Sequence, residues 1–311
     1  MNVAEETMAD DAASPVRDIS MRTMEIRQVD VYGSTIRVAI WPGDREKTPL
    51  LMFNGIGASL ELLVPFADAL GDIETIAFDV PGTGESSQPL VPYRLWMLSM
   101  LASRLLRKLG YDKVDVLGVS WGGAFAQQFA LQNPKRCRRL VLAATAQGFL
   151  MMPGKLSVLA KFFTPRRFND PEHLSAIAGE IYGGQARDGK VSIQEFRRTS
   201  KRGYLIQQMA LLGWTSVPWL PLLPQPTLVM AGDDDPVIPL VNAKLMAGLI
   251  RNSRLHVFHD GHLFLISNAT EAGGVVRDFL TAPEGTLARA SWTERSRLFP
   301  ARAGASVVKL R

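Results

Sequence analysis

The chain has 311 residues, 47% of them hydrophobic and 21% charged, a composition typical of a globular protein large enough for one domain with an insertion. Its single cysteine, Cys137, excludes an intramolecular disulfide framework, and no apolar run approaches the roughly 20 residues of a membrane helix. The charge of +5 comes with no nucleic-acid-reading motif and no secretory signal, so we expect a cytoplasmic protein with no nucleic-acid partner.

Residues 1–22 are acidic and are predicted to form a disordered extension, after which the chain alternates between strand and helix patterns. Alternating side chains on both sides of Gly33 predict a β-hairpin. Short apolar runs follow, with helical patterns between them, as in parallel strands that are buried on both faces. This order predicts an α/β fold with a mostly parallel central sheet and flanking helices. The predicted parallel strands cover residues 49–53, 75–78, 114–119, 140–144, 227–231 and 254–258.

The strand–helix rhythm stops between residues 147 and 224, where prolines, basic clusters and aromatic side chains take its place. A helical insertion of this length over the carboxyl edge of a sheet is usually a lid. We therefore predict a core of residues 23–146 and 225–281 and a helical lid of residues 147–224. The basic tail, residues 282–311, is predicted to be disordered.

The segment Gly118-Val119-Ser120-Trp121-Gly122-Gly123 follows a predicted strand and opens a predicted helix. This is the strand–turn–helix context that the Gly-x-Ser-x-Gly motif requires, which argues against a purely structural turn. The glycines avoid clashes with the neighbouring strand and helix. The turn points its serine hydroxyl outward above the sheet, so Ser120 is the predicted nucleophile.

A serine nucleophile needs a general base, and a histidine base needs a carboxylate that holds its tautomer. His262 lies in a loop after the last predicted strand, at the edge where ligands bind in such folds, and His259 is its competitor. Of three adjacent aspartates after the preceding strand, Asp235 resembles the acid position of this fold. Asp233 and Asp234 are expected to bond loop backbone or to face solvent. The order Ser, Asp, His is that of the α/β-hydrolase fold.

An oxyanion hole needs two backbone amides directed at the developing negative charge. The amide of Trp121, directly after the nucleophile, is one candidate. The loop Asn54-Gly55-Ile56-Gly57 resembles the His-Gly-x-Gly loop of the fold and suggests Ile56 as the second donor. Asn54 replaces the histidine of that loop, which leaves the supporting hydrogen bonds to be determined.

Nine short segments, two of them in the predicted lid, form a combined pattern: residues 54–58, 78–82, 118–123, 127–130, 140–145, 181–184, 212–216, 225–239 and 260–266. Together they resemble the intracellular medium-chain-length polyhydroxyalkanoate depolymerases. The resemblance spans about residues 24–280, and the acidic extension and basic tail depart from it. It implies hydrolysis of 3-hydroxy acid polyesters stored in cytoplasmic granules, without a metal or organic cofactor.

Two tryptophans of the lid, Trp214 and Trp219, suit the binding of long alkyl side chains, but buried tryptophans serve lid packing equally well. The basic residues suit a granule surface or the carboxylate that is released. An acyltransferase of the same fold, a general carboxylesterase and a non-catalytic granule-binding protein remain as alternatives, and the oligomeric state stays open.

Overall fold

The computed structural model describes residues 22–162, 164, 171–189 and 199–283. The predicted extensions at residues 1–22 and 282–311 therefore lie, apart from one or two residues each, outside the described residues. Among the residues that are described, every helix is too short or too polar to span a lipid bilayer.

The described residues form one eight-stranded sheet in the order β1-β2-β4-β3-β5-β6-β7-β8. Strand β2 is antiparallel to β1 and β4, and every other neighbouring pair is parallel. This confirms the mostly parallel sheet and the antiparallel edge, with the predicted hairpin turn at Tyr32 and Gly33. The strands are β1 (Glu25–Val31), β2 (Ser34–Trp41), β3 (Leu50–Phe53), β4 (Thr75–Phe78), β5 (Val114–Val119), β6 (Cys137–Ala143), β7 (Thr227–Gly232) and β8 (Ser253–Phe258).

Helices cover both faces of the sheet, which is why the parallel strands are apolar along their whole length. All residues of β3, β4 and β7 are buried. One apolar cluster joins the sheet to α2, α3 and α7, and a second joins it to α1, α8 and α9. The helices of these two layers are α1 (Val64–Ala69), α2 (Leu95–Leu109), α3 (Trp121–Gln132), α7 (Leu240–Leu249), α8 (Phe264–Ser267) and α9 (Ala269–Thr281).

Residues 147–224, called the lid segment below, connect β6 to β7. The described part of this segment contains α4 (Leu156–Phe162), α5 (Pro171–Tyr182) and α6 (Lys201–Ala210). Its only β-structure among the described residues is isolated β-bridges. A third apolar cluster packs α4 and α5 against Val237 and Leu263, which lie in the loops after β7 and β8. The segment is thus attached at the carboxyl edge of the sheet, while its bounds and its role as a lid stay predictions.

Candidate active site

Ser120 lies at the sharp turn between β5 and α3 with a φ of 55° and a ψ of −120°. Such a conformation is costly for a residue with a Cβ, by about 1–3 kcal/mol, and needs support from its surroundings. The Ser120 amide donates to the carbonyl of Ala143 at 2.9 Å. Its carbonyl accepts from the Thr145 hydroxyl at 2.7 Å and from the Gly123 amide at 2.9 Å. Three backbone contacts therefore hold the strained turn.

The glycines of this turn are required by the close approach of strand, turn and helix. A Cβ added to Gly118 would lie 2.2 Å from the carbonyl oxygen of Gly122. One added to Gly122 would lie 2.2 Å from the carbonyl oxygen of Phe53, and one on Gly123 would lie 2.4 Å from Thr145. These distances are too short for a side chain, which agrees with the prediction that the glycines avoid clashes with the neighbouring strand and helix.

Ser120, His262 and Asp235 form one chain of hydrogen bonds. His262 Nε2 lies 3.0 Å from Ser120 Oγ, and its Nδ1 lies 2.7 Å from Asp235 Oδ2. The other carboxylate oxygen, Oδ1, accepts from the amides of Val237 and Ile238, both at 2.9 Å. His262 and Asp235 are 5% and 6% exposed, so their interaction is little screened by water. This geometry allows His262 to take a proton from the serine hydroxyl.

The neighbouring candidates have other partners. His259 Nδ1 lies 2.6 Å from Asp233 Oδ2, and both side chains are solvent-accessible at 53% and 37%. Asp234 accepts from the amide of Gly184 at 2.8 Å and from the Arg187 guanidinium at 3.0 Å. The structure thus brings Asp235, and not its two neighbours, to His262.

Two residues that hold the His262 loop were not assigned a role from the sequence. The carbonyl of Tyr182 accepts from the His262 amide at 2.7 Å, and the two rings stack with centroids 6.3 Å apart. Asp260, which is 2% exposed, accepts hydrogen bonds with both oxygens. The sequence signal for this support was that segments 181–184 and 260–266, which contain these two residues, belong to the depolymerase resemblance. The donors to Asp260 are Gln185, Gly261, Ser267 and Asn268.

The two predicted oxyanion donors lie on either side of Ser120. Trp121 is the first residue of α3, where an amide has no intrahelical acceptor. Among the described residues, neither its amide nor that of Ile56 donates a hydrogen bond to another protein group. Asn54 supports the Ile56 loop by donating to the Ser59 carbonyl at 2.6 Å and accepting from the Gly55 amide at 2.8 Å. Asparagine therefore provides loop contacts at the position where the related loop has histidine.

An apolar cavity opens beside Ser120 and His262, with an empty volume of ≈ 550 Å³ that includes space open to solvent. Its walls come from residues 54–58, α1 with the turn before it, Tyr182 at the end of α5, and α8. Their apolar side chains fit an alkyl group better than a charged ligand. The apolar lining residues are Ile56, Ala58, Leu62, Leu63, Phe66, Val119, Leu263, Leu265 and Ile266.

Trp214 and Trp219 are absent from the described lining of this cavity. Their rings pack edge to face with centroids 5.9 Å apart, and Trp214 Nε1 donates to Gln128 Oε1 of α3 at 2.8 Å. Both are partly buried against the cluster that contains α2, α3 and α7. The structure therefore does not bring them to Ser120, and their role in substrate binding stays a prediction.

Cys137 and His256 lie outside this group of residues, and burial shifts the pKa of both. Burial raises the pKa of the Cys137 thiol well above its usual value. Burial also lowers the pKa of His256 to about 4, and in the part of the chain that the structure describes its Nε2 has no hydrogen-bond partner. Within the described residues, no three His, Cys, Asp or Glu side chains are grouped as a metal site would require.

Comparisons with known proteins give the family of this chain. Residues 48–269 match the family model described as the alpha/beta hydrolase fold. The chain is 52% identical over 259 residues to a poly(3-hydroxyalkanoate) depolymerase of Ectopseudomonas oleovorans, covering 82% of this chain and 92% of that protein. It is 25% identical to 3-oxoadipate enol-lactonase 2 of Acinetobacter baylyi, covering 71% of this chain and 84% of that one.

A solved structure, the enol-lactonase from Burkholderia xenovorans LB400, superposes with a TM-score of 0.71. It is 22% identical and covers 82% of this chain and all of its own, which shows a shared fold. Because the family match and the 52% identical relative both cover most of the chain, this protein belongs to the α/β-hydrolase fold family and, within it, to the family of the poly(3-hydroxyalkanoate) depolymerases.

Proposed function

We propose that this protein hydrolyses ester bonds of poly(3-hydroxyalkanoates), with Ser120 as nucleophile, His262 as general base and Asp235 as the carboxylate that orients it. The observation that carries the proposal is the hydrogen-bonded chain of these three side chains beside an apolar cavity. The name of the 52% identical relative supports the substrate class.

In the first half of the reaction, Ser120 Oγ attacks the ester carbonyl while His262 Nε2 takes the hydroxyl proton. The carbonyl oxygen becomes an oxyanion that faces the amides of Ile56 and Trp121. Asp235 stabilises the imidazolium that forms. When the intermediate collapses, the alcohol end of the leaving fragment receives the proton from His262, and the acyl group stays on Ser120.

In the second half, His262 removes a proton from a water molecule, which attacks the acyl-enzyme. A second oxyanion forms at the same two amides and collapses to a free carboxylic acid. The proton returns from His262 to Ser120 Oγ, which restores the enzyme. No electron transfer occurs in either half.

The apolar cavity is the proposed site for the alkyl side chain of a medium-chain 3-hydroxyacyl unit. Burial of one methylene group stabilises a bound ligand by about 0.8 kcal/mol, so a longer side chain gains affinity as long as the cavity has room. Cytoplasmic storage granules are the proposed source of this substrate, and the net charge of +5 would favour an anionic granule surface.

The test compares the native protein with Ser120→Ala on medium-chain and short-chain polyesters, in the presence of an added alcohol. Free 3-hydroxy acids or oligomers from the medium-chain polymer are the expected products, and esters of the added alcohol would indicate an acyltransferase. Ser120→Ala should lose activity by about 10⁴-fold or more while its melting temperature stays near that of the native protein. Near-normal turnover by the folded variant would contradict the proposal.

A further inference from the structure

Gln207 is a buried polar residue of α6 in the lid segment. Its side chain is 1% exposed, although glutamine is usually found at the surface. Oε1 accepts a hydrogen bond from the amide of Gly57 at 2.8 Å, and Nε2 donates to the hydroxyl of Thr83. The backbone carbonyl of Gln207 also accepts from Trp121 Nε1 at 2.9 Å. The side chain of Gln207 therefore contacts the loop that carries the Ile56 amide, while its backbone contacts the indole of Trp121.

Gly57 directly follows Ile56, so the hydrogen bonds of its backbone restrain the part of the loop that carries the Ile56 amide. Its φ of 73° is in the left-handed region that favours glycine. The amide of Gly57 is bonded to Gln207, and its carbonyl accepts from the Thr199 hydroxyl at 2.7 Å. Asn54 holds only the start of the loop from the core side. Both polar backbone groups of Gly57 are thus held by the lid segment.

The start of α6 is packed directly on the loop after β4. A Cβ added to Gly203 would lie 2.0 Å from the carbonyl oxygen of Gly82, so the two backbones are in contact. Thr199 forms an isolated β-bridge with Thr83, the residue to which Gln207 also bonds. This close packing gives Gln207 a defined position relative to the sheet.

We propose that Gln207 is a positioning residue that holds the Gly57 end of the loop so that the amide of Ile56 has the arrangement that the oxyanion requires. The inference rests on the proposed serine hydrolase function. Oxyanion stabilisation depends on amides at about 2.7–3.1 Å from the developing charge, so a small displacement of either amide weakens it. Because the effect acts on the oxyanion and not on the bound ester, loss of the contact should lower kcat and leave KM nearly unchanged.

The test uses Gln207→Met, which keeps the length of the side chain and removes its hydrogen bonds to Gly57 and Thr83. Gln208→Met is the matched control, since Gln208 is the next residue of the same helix and is only partly buried. The measurements are kcat and KM for a short p-nitrophenyl ester, normalised to active sites titrated with a fluorophosphonate. The inhibition constant of a trifluoromethyl ketone, which forms a tetrahedral adduct with the serine, is measured alongside.

We expect kcat of Gln207→Met to fall by about 10-fold to 100-fold, below the roughly 10²–10³-fold loss of a whole oxyanion donor. The inhibition constant of the ketone should rise by a similar factor, and Gln208→Met should behave like the native protein. Gln207→Glu keeps an acceptor for the Gly57 amide and should recover most of the activity. A lower melting temperature with unchanged kcat per active site would overturn the proposal.

If Gln207→Met does not fold, Gln207→Asn tests the same contact, because it keeps a polar amide but is one methylene too short to reach the Gly57 amide in the same way. It should lower kcat by a smaller factor without changing KM, and an unchanged kcat would overturn the inference. These outcomes are distinct from failure of the proposed function, which would appear as an active Ser120→Ala protein. Native-like kinetics of the Gln207 variants together with an inactive Ser120→Ala protein would contradict only the proposed role of Gln207 and would leave the proposed function intact.

Discussion

Replacing Asp235 by asparagine gives a sharp test of the proposed mechanism, because the structure determines which way the new amide turns. One carboxylate oxygen, Oδ1, accepts from the amides of Val237 and Ile238, and the other faces His262 Nδ1 at 2.7 Å. In Asp235→Asn, the amide oxygen must stay with the two backbone donors. The new NH₂ group therefore faces His262.

An NH₂ group at this position reverses the tautomer of the imidazole. Nδ1 becomes the acceptor, so Nε2 carries the proton and cannot take one from Ser120 Oγ, 3.0 Å away. The same substitution in a serine protease triad lowers kcat by about 10⁴-fold. We expect a loss of this order, equivalent to about 5.5 kcal/mol of transition-state stabilisation.

The adjacent aspartates provide matched controls. Asp233→Asn weakens only an exposed pair with His259, and Asp234→Asn weakens an exposed ion pair with Arg187. Such pairs contribute about 0–1 kcal/mol, so both variants should keep kcat/KM within a few-fold of the native value. The assay is p-nitrophenyl ester hydrolysis, with thermal unfolding of each variant as the check on folding.

The result that would refute this reasoning is a folded Asp235→Asn protein with kcat/KM within 10-fold of the native enzyme. A loss of about 10⁴-fold in Asp233→Asn, with Asp235→Asn spared, would instead make His259 and Asp233 the catalytic pair.

Three further predictions follow from the cavity, the tryptophans and His256. Ile266→Phe narrows the cavity at a half-buried lining residue, so kcat/KM should fall more for p-nitrophenyl octanoate than for p-nitrophenyl butyrate. An equal fall for both esters would contradict the proposal that the cavity binds the alkyl chain. Trp214→Ala removes packing against Trp219, so we expect a lower melting temperature and a loss of kcat/KM by the same factor for esters of all chain lengths. A loss of kcat/KM that grows with chain length would favour the substrate-binding role predicted from the sequence. Burial lowers the pKa of His256 in the fold from its ordinary value of 6.5 to about 4. The unfolded chain therefore takes up the proton first, and the free energy of unfolding decreases as the pH falls from 6.5 to 4. Urea unfolding at pH 7 and pH 4.5 measures this decrease in the free energy of unfolding, and His256→Leu should make it smaller by about 1–2 kcal/mol. An unchanged decrease in the variant would contradict the burial of His256.

The sequence alone was sufficient for the sheet and for the nucleophile turn. Parallel strands buried on both faces are recognisable as short apolar runs, and a strained turn between strand and helix requires glycines at set spacings. Both signals are local, because strand periodicity and turn stereochemistry act over a few residues. The predicted strands consequently differ from the observed ones by only a few residues at their ends.

The tertiary structure was needed for contacts between residues that are far apart in the chain. Asp233 and Asp235 follow one strand, and His259 and His262 follow the next. Their spacing in the sequence does not show which aspartate bonds to which histidine, because the conformations of the two loops decide the pairing. Three other features also leave no periodic signal in the sequence. They are the cavity walls on α1 and α8, the position of Trp214 away from these walls, and the hydrogen bond between Gln207 and Gly57, which are 150 positions apart. Local patterns specify which elements form, whereas the packing of loops and the lid segment against the sheet edge decides which side chains meet at Ser120.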